Sequence, residues 1–451
     1  MPLPAHPLRT LAAVPVAVVL ALAALAAPAA GHTGATLSRG VSPKVVVTPH
    51  FTKAVRASET TFTCQLPTAS VVCYSPRAIR TAYDIQSVLN SGVTGAGRTI
   101  VIIDAFGYPT LRQDLHVFDQ TFGLPDPHLR MIAPDGTVPF DPTNANQVGW
   151  SGEIALDVEW AHAVAPGAQI DLVIARTNND ADILSATKYA VDNNLGAVIS
   201  QSFGEAETCE VPSIFRATHN VFNRAAGRGI TLLASSGDQG SAQPTCDGSS
   251  YFLSASTPAS DPLVTAVGGT HLNADPVNGT YHGEHVWNNR FGASGGGFST
   301  AFDKPSYQYG LRAIGRHRGV PDVSYNGDVN GGVLTAWSQG VPGNVGQIYI
   351  FGGTSAGSPQ WAGIVALASQ QANRRLGQIN PGIYQLGHSS SYRWAFHDVT
   401  SGDNTFVGTD SSGHQVVVTG YYAGRGWDAS TGWGSPDVAH LIPLLIPLTY
   451  R

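Results

Sequence analysis

Two spacings of apolar residues take turns along the chain from Thr99 onward. The runs "TIVIIDAF" (99–106), "QIDLVIA" (169–175), "GAVIS" (196–200), "ITLLASS" (230–236) and "PLVTAVGG" (262–269) are short and nearly unbroken, as in strands buried on both faces. Between them, "LRQDLHVFDQTF" (111–122), "ADILSATKYAVDN" (181–193) and "IFRATHNVFNRAAGRG" (214–229) place apolar residues at helical spacing. This alternation predicts an α/β fold, a doubly wound, mostly parallel sheet with helices on both faces. Ligand sites in such sheets lie at the carboxyl ends of strands. Residues 31–75 are Ser/Thr/Val-rich without helical period, and from 377 onward turn residues dominate. Neither GxGxxG nor GxxxxGK[ST] occurs, so nucleotide binding has no support.

The first thirty residues have a different pattern. Arg9 precedes "LAAVPVAVVLALAALAA", and Ala27-Pro28-Ala29 forms a small-residue cleavage site. This predicts a signal peptide over 1–29, a short extension over 30–75, one catalytic-size domain over 76–451 and a secreted product that leaves the membrane after cleavage. The four cysteines fit that compartment, and sequence nearness favours Cys64–Cys73 and Cys209–Cys246 among three possible pairings. Charged residues are 12% of the chain and the formal net charge is −6, which points away from nucleic acid.

Candidate chemistry centres on "IFGGTSAGSPQWAG" (350–363), where Ser355 follows a strand and a Gly-Gly turn and precedes a buried helix. Free N–H groups at a helix start favour developing negative charge, but a serine there also acts as a simple cap. A nucleophilic serine needs a base. None of the fifteen histidines stands in an obvious catalytic context: His162 reads as packed or capping, and "HGEH" (282–285) as a surface loop. In "SGEIALDVEWAHAVAPG" (151–167), Glu153 and Asp157 are four residues apart and share a helix face among apolar neighbours, with Glu159 read as exposed. Two adjacent, partly buried carboxyl groups tend to share a proton. Asp238 ends the strand in "LLASSGDQG", where either a turn former or a catalytic group belongs.

In order along the chain, "GEIALDVEWAHAVAPGAQI", "ISQSFG", "LLASSGDQG", "TPASDPLVTAVGGT", "GASGGGFS", "RGVPDVS", "GGTSAGSPQWAG" and "GWDASTGWGSP" together resemble the sedolisin family, serine-carboxyl peptidases with a subtilisin-like fold. The resemblance implies Glu153 as general base, Asp157 as its partner, Ser355 as nucleophile and Asp238 as a protonated oxyanion-hole residue. It implies one calcium ion on the carboxylates of Asp398 and Asp428 and the carbonyls of Val399, Gly424 and Gly426. It also implies a substrate cleft lined by Ser202, Phe203, Gly204, Ser294, Gly295 and Gly296. The expected function is a secreted, monomeric endopeptidase acting on proteins or peptides in acid, around pH 3–5 from carboxyl pKa values shifted modestly upward. The family motif usually begins Ser-Gly-Thr-Ser, and Gly352 replaces its first serine. Two rival readings are a subtilisin-type peptidase using Asp104 with a histidine, and a binding protein on a decayed peptidase fold.

Overall fold

The computed structural model describes residues 44–449 apart from 46, 48, 59 and 60; the leader expected over 1–29 lies outside the described residues. An eight-stranded sheet forms the centre. From one edge its strands run Leu129–Ile132, Gln169–Ala175, Thr99–Ala105, Val198–Gln201, Thr231–Ser235 and Val264–Ala274, all parallel. Val264–Ala274 is then flanked by Val323–Asn326, parallel, and Tyr281–Val286, antiparallel. Side chains along one strand enter two separate cores: Ile100 and Ile102 one, Val101, Ile103 and Ala105 the other. Helices therefore cover both faces, and the long apolar strand runs follow from that.

The helices Leu111–Phe122, Asp180–Asp192 and Pro212–Gly227 lie where the apolar spacing places them. The last predicted strand continues to Ala274, since beyond Gly269 it gains Tyr281–Val286 as an antiparallel partner. The "HGEH" stretch is that partner and not a surface loop. Its Glu284 accepts hydrogen bonds from Tyr83 (2.7 Å) and Thr270 (2.6 Å), a cross-strand network with no local sequence signal. The C-terminal region is also more regular than its turn residues suggest, with helices Asn380–Gly387 and Val438–Leu445.

A second sheet of four strands packs beside the first, in the order His50–Lys53, Ile348–Gly352, Gly332–Ala336, Cys73–Tyr74. The described part of the N-terminal segment is thus built into the body of the protein. Disulfides join Cys64 to Cys73 and Cys209 to Cys246, the pairing that nearness favours.

Two buried helices meet behind the sheet ends, Ala145–Val164 and Gly357–Gln371. Asn144 caps the first by accepting hydrogen bonds from the N–H groups of Asn146 and Gln147. Gly363 of the second meets Val164 of the first so closely that a Cβ there would lie 2.6 Å from a valine methyl. That contact fixes the separation of the two helices; the first carries Glu153 and the second directly follows the turn that holds Ser355.

Candidate active site

Ser355 sits in the single turn Thr354–Ala356, between the strand Ile348–Gly352 and the helix Gly357–Gln371. The two glycines before it answer to close packing. A Cβ on Gly352 would lie 2.6 Å from the Val329 nitrogen, so the family's usual serine would not fit here without a shift. Gly353 has φ 108°, and a Cβ on it would meet Asp238 Oδ2 at 2.7 Å. Pro359 falls in the first turn of the helix, where its missing N–H costs no bond.

The Ser355 hydroxyl faces Glu153, whose ionised form it favours. Glu153 and Asp157 are buried, one turn apart on the Ala145–Val164 helix. A third carboxyl joins them: Asp104, at the end of the strand Thr99–Ala105, fully buried. Burial pushes all three well above the ordinary carboxyl range; Asp157 adds to the effect on Glu153, Glu153 to that on Asp104, and Asp104 to that on Asp157. Neither oxygen of Asp104 or Asp157 has a hydrogen-bond partner, and neither does Oε1 of Glu153. An unpaired buried carboxylate costs several kcal/mol, so burial and mutual repulsion favour protonated forms within this cluster.

Asp238 follows the strand Thr231–Ser235. Its Oδ1 accepts hydrogen bonds from the Thr354 N–H (2.7 Å) and hydroxyl (2.8 Å), which holds the carboxyl beside the Ser355 turn. Its Oδ2 lies 3.6 Å from His50 Nε2. The structure therefore brings together all four residues singled out as catalytic. Asp104 entered the sequence reading only as the partner of a histidine in a rival mechanism; its position at a strand's carboxyl end was the available signal. Here Glu153 acts on it instead of a histidine.

One other reading needs correction and one holds. Glu159 is not exposed: it is fully buried, and its Oε2 accepts the Ala336 N–H at 2.8 Å. The helix is buried around its whole circumference, so spacing alone could not tell an inner from an outer face. His162 is a packed residue, with Nε2 2.7 Å from the Pro125 carbonyl oxygen.

Among the expected cleft residues, Ser202 flanks the nucleophile directly, its carbonyl oxygen 3.5 Å from Ser355 Oγ. Phe203 is buried with its ring centroid 6.0 Å from that of Trp150. A Cβ on Gly204 would strike Ser256 Oγ at 2.1 Å. Ser294 does not present its hydroxyl to a cleft: it is fully buried, donating to the Ser430 carbonyl oxygen (2.7 Å) and accepting the Gly269 N–H (2.8 Å). Gly295 and Gly296 are close-approach positions, since a Cβ would lie 2.1 Å from the Ser236 carbonyl oxygen or 2.0 Å from that of Ala429. This loop ties the Asp238 segment to the loop carrying Asp428.

In that loop, Asp428 Oδ2 accepts the Gly424 N–H (3.0 Å), and Asp398 Oδ1 accepts the Gly426 N–H (3.1 Å). Two carboxylates from separate segments thus converge on one turn. Burial pushes Asp428 up to about 6.

The Subtilase family model matches residues 144–380. Kumamolisin of Bacillus sp. (strain MN-32) is 33% identical over 420 residues, 90% of this chain and 70% of its own length. Sedolisin of Pseudomonas sp. (strain 101) is 33% identical over 383 residues, 82% of this chain and 60% of its own length. The chain thus spans less than the full length of both relatives. A solved structure of Pseudomonas sedolisin, a serine-carboxyl proteinase, complexed with two molecules of pseudo-iodotyrostatin, matches with TM-score 0.70 and 31% identity over 83% of this chain and 98% of that one.

Proposed function

The chain belongs to the sedolisin family of serine-carboxyl peptidases, and from that premise we propose that it is a secreted, acid-active endopeptidase working through an acyl-enzyme on Ser355. One observation carries the reading: the Ser355 hydroxyl faces Glu153 in a buried cluster of three carboxyl groups. In this mechanism Ser355 Oγ attacks the carbonyl carbon of the scissile bond while its proton passes to Glu153. The oxyanion is held by the Ser355 N–H and by protonated Asp238, fixed in place by Thr354. Glu153 then protonates the leaving amine, and water hydrolyses the ester by the reverse transfers. Asp157 and Asp104 keep their protons and so allow Glu153 alone to carry charge. The test is covalent trapping: a serine-directed acylating inhibitor should add one adduct, mapped by mass spectrometry to Ser355. Failure to label at any pH from about 3 to 8, the range over which carboxyl and histidine bases titrate, would remove the mechanism.

A calcium ion fits the loop around Asp428. Its donors would be the carboxylates of Asp398 and Asp428 with the carbonyls of Val399, Gly424 and Gly426, an oxygen-only set of the kind calcium takes. A buried carboxyl raised by desolvation gains from a cation beside it. The ion would hold the loop on which Gly296 rests, and through it the Asp238 segment. Chelation should therefore lower the melting temperature, and Asp428→Ala should remove that response. An unchanged melting curve with and without chelator would eliminate the site.

Export is part of the same proposal. It rests on the leader-like first thirty residues and on two disulfides, which persist in oxidising compartments. Among the described residues no helix is long and apolar enough to cross a membrane.

A further inference from the structure

Next to Ser202–Gly204 lies a half-open pocket, its enclosed part ≈ 30 Å³, with two kinds of wall. Ile183, Leu184 and Phe203 make one side apolar. The other is formed by three carboxyl groups, Asp180, Glu205 and Glu210. They are only 4%, 8% and 9% exposed. Glu210 is satisfied by the hydroxyls of Thr218 (3.1 Å) and Thr257 (3.4 Å). Asp180 and Glu205 share a hydrogen bond that needs a proton on one of them, and among the described residues no other donor reaches either oxygen of Asp180 or Oε1 of Glu205. Gln201 Nε2 also lines the cavity without a partner, but one amide cannot serve three acceptor oxygens. Burial is the main cause that pushes all three up; repulsion by neighbouring carboxyls adds to it at Glu205, raised to about 9, and at Glu210, raised to about 7, while a hydrogen bond with Glu205 limits the rise of Asp180 to about 6.

The chain itself shows how a peptide reaches this cavity. Val45 lines it, with its N–H donating to the Asn178 carbonyl oxygen (3.1 Å) and its own carbonyl accepting from Asn178 Nδ2 (2.8 Å). Further along the same segment, His50 pairs with Gly352, three residues before Ser355. Val45 at the pocket and His50 beside Gly352 thus lie on one segment, and from the pocket toward the nucleophile the order is from the amino to the carboxyl side. Val45 brings two methyl groups and no donor, so Asp180 and Glu205 have only the proton they share.

We propose that this cavity is a specificity site of the peptidase proposed above and takes an arginine or lysine side chain on the amino-terminal side of the bond to be cut. The methylene stem would lie on Ile183, Leu184 and Phe203, as the stems of long cationic side chains do on apolar surface. The head group would supply donors in place of the proton that Asp180 and Glu205 share, together with a charge that lets the pair ionise. An aliphatic side chain leaves the pair with only that shared proton, and an acidic one adds a fourth carboxyl.

Two measurements on the full chain test this, and only the second depends on peptidase activity. In a Ser355→Ala background, Val45→Arg should raise the melting midpoint by roughly 2 °C, and Glu205→Gln should abolish that gain. A midpoint that falls or stays put on Val45→Arg, or a gain of equal size with Glu205→Gln, overturns the proposal. With Ser355 intact, peptides carrying Arg or Val at each of the four positions before the cleaved bond are compared. At one position Arg should raise kcat/KM at least about 10-fold, with the preference lost in Glu205→Gln. Cleavage without such a preference also overturns it. Should the melting gain appear while no peptide is cut, the basic-side-chain site stands and the peptidase reading falls.

Discussion

Exchange of Ser355 for alanine is expected to reduce kcat on a peptide substrate by about 10⁴-fold or more, with little change in the melting temperature. The substitution removes one half-buried oxygen from a turn whose position is set elsewhere: by Asp238 on Thr354, by the close approach of Gly352 to Val329, and by Gly363 against Val164. The fold therefore has no reason to yield when the hydroxyl is lost. Asp238→Ala should be milder, about 10²–10³ in kcat, since it takes away one oxyanion donor and leaves the Ser355 N–H. Activity within a few-fold of the parent in Ser355→Ala would rule out the covalent route.

The second expected result is the pH profile. Glu153 accepts a proton only when ionised, so the acid limb of kcat/KM reports Glu153, moved upward by burial. Asp157 and Asp104 support it only while protonated, so the alkaline limb reports the loss of those protons. Activity should peak below about pH 6.5, where a histidine base would be losing its function. Glu153→Gln should be inactive at every pH, because an amide cannot accept the proton, whereas Asp157→Asn keeps a donor and should lose less. Stability should follow the same groups. Asp104, Glu153, Asp157 and Glu159 all have folded-state pKa values above their unfolded ones. Between those two values the folded protein binds more protons than the unfolded one, so raising the pH destabilises it. The melting temperature should accordingly be higher in mild acid than at neutral pH. A rate maximum at pH 7–9, or full activity in Glu153→Gln, would mean that another group is the base.

Much of this architecture was legible in the sequence because its signals are local. Strands buried on both faces must be continuously apolar, and amphipathic helices must repeat at 3.6 residues, so the order of strands and helices follows from pattern alone. The Ser355 turn, the Glu153–Asp157 spacing and the disulfide pairing are likewise set by residues close together in sequence. What tertiary structure decided are contacts between distant segments. Asp104 lies forty-nine residues before Glu153, and only the parallel sheet and the helix packed on it bring their carboxyls together. Glu159 sits in the same helix as Glu153 but is buried against Ala336, which no helical wheel foretells when every side of the helix is covered. "HGEH" became a strand because Val264–Ala274 had a free edge, and Ser294 became a buried tie because Ser430 lies behind it. Residue type and spacing specify which chemistry is available; burial and pairing, which depend on what packs from elsewhere in the chain, decide which groups keep their protons and which face a substrate.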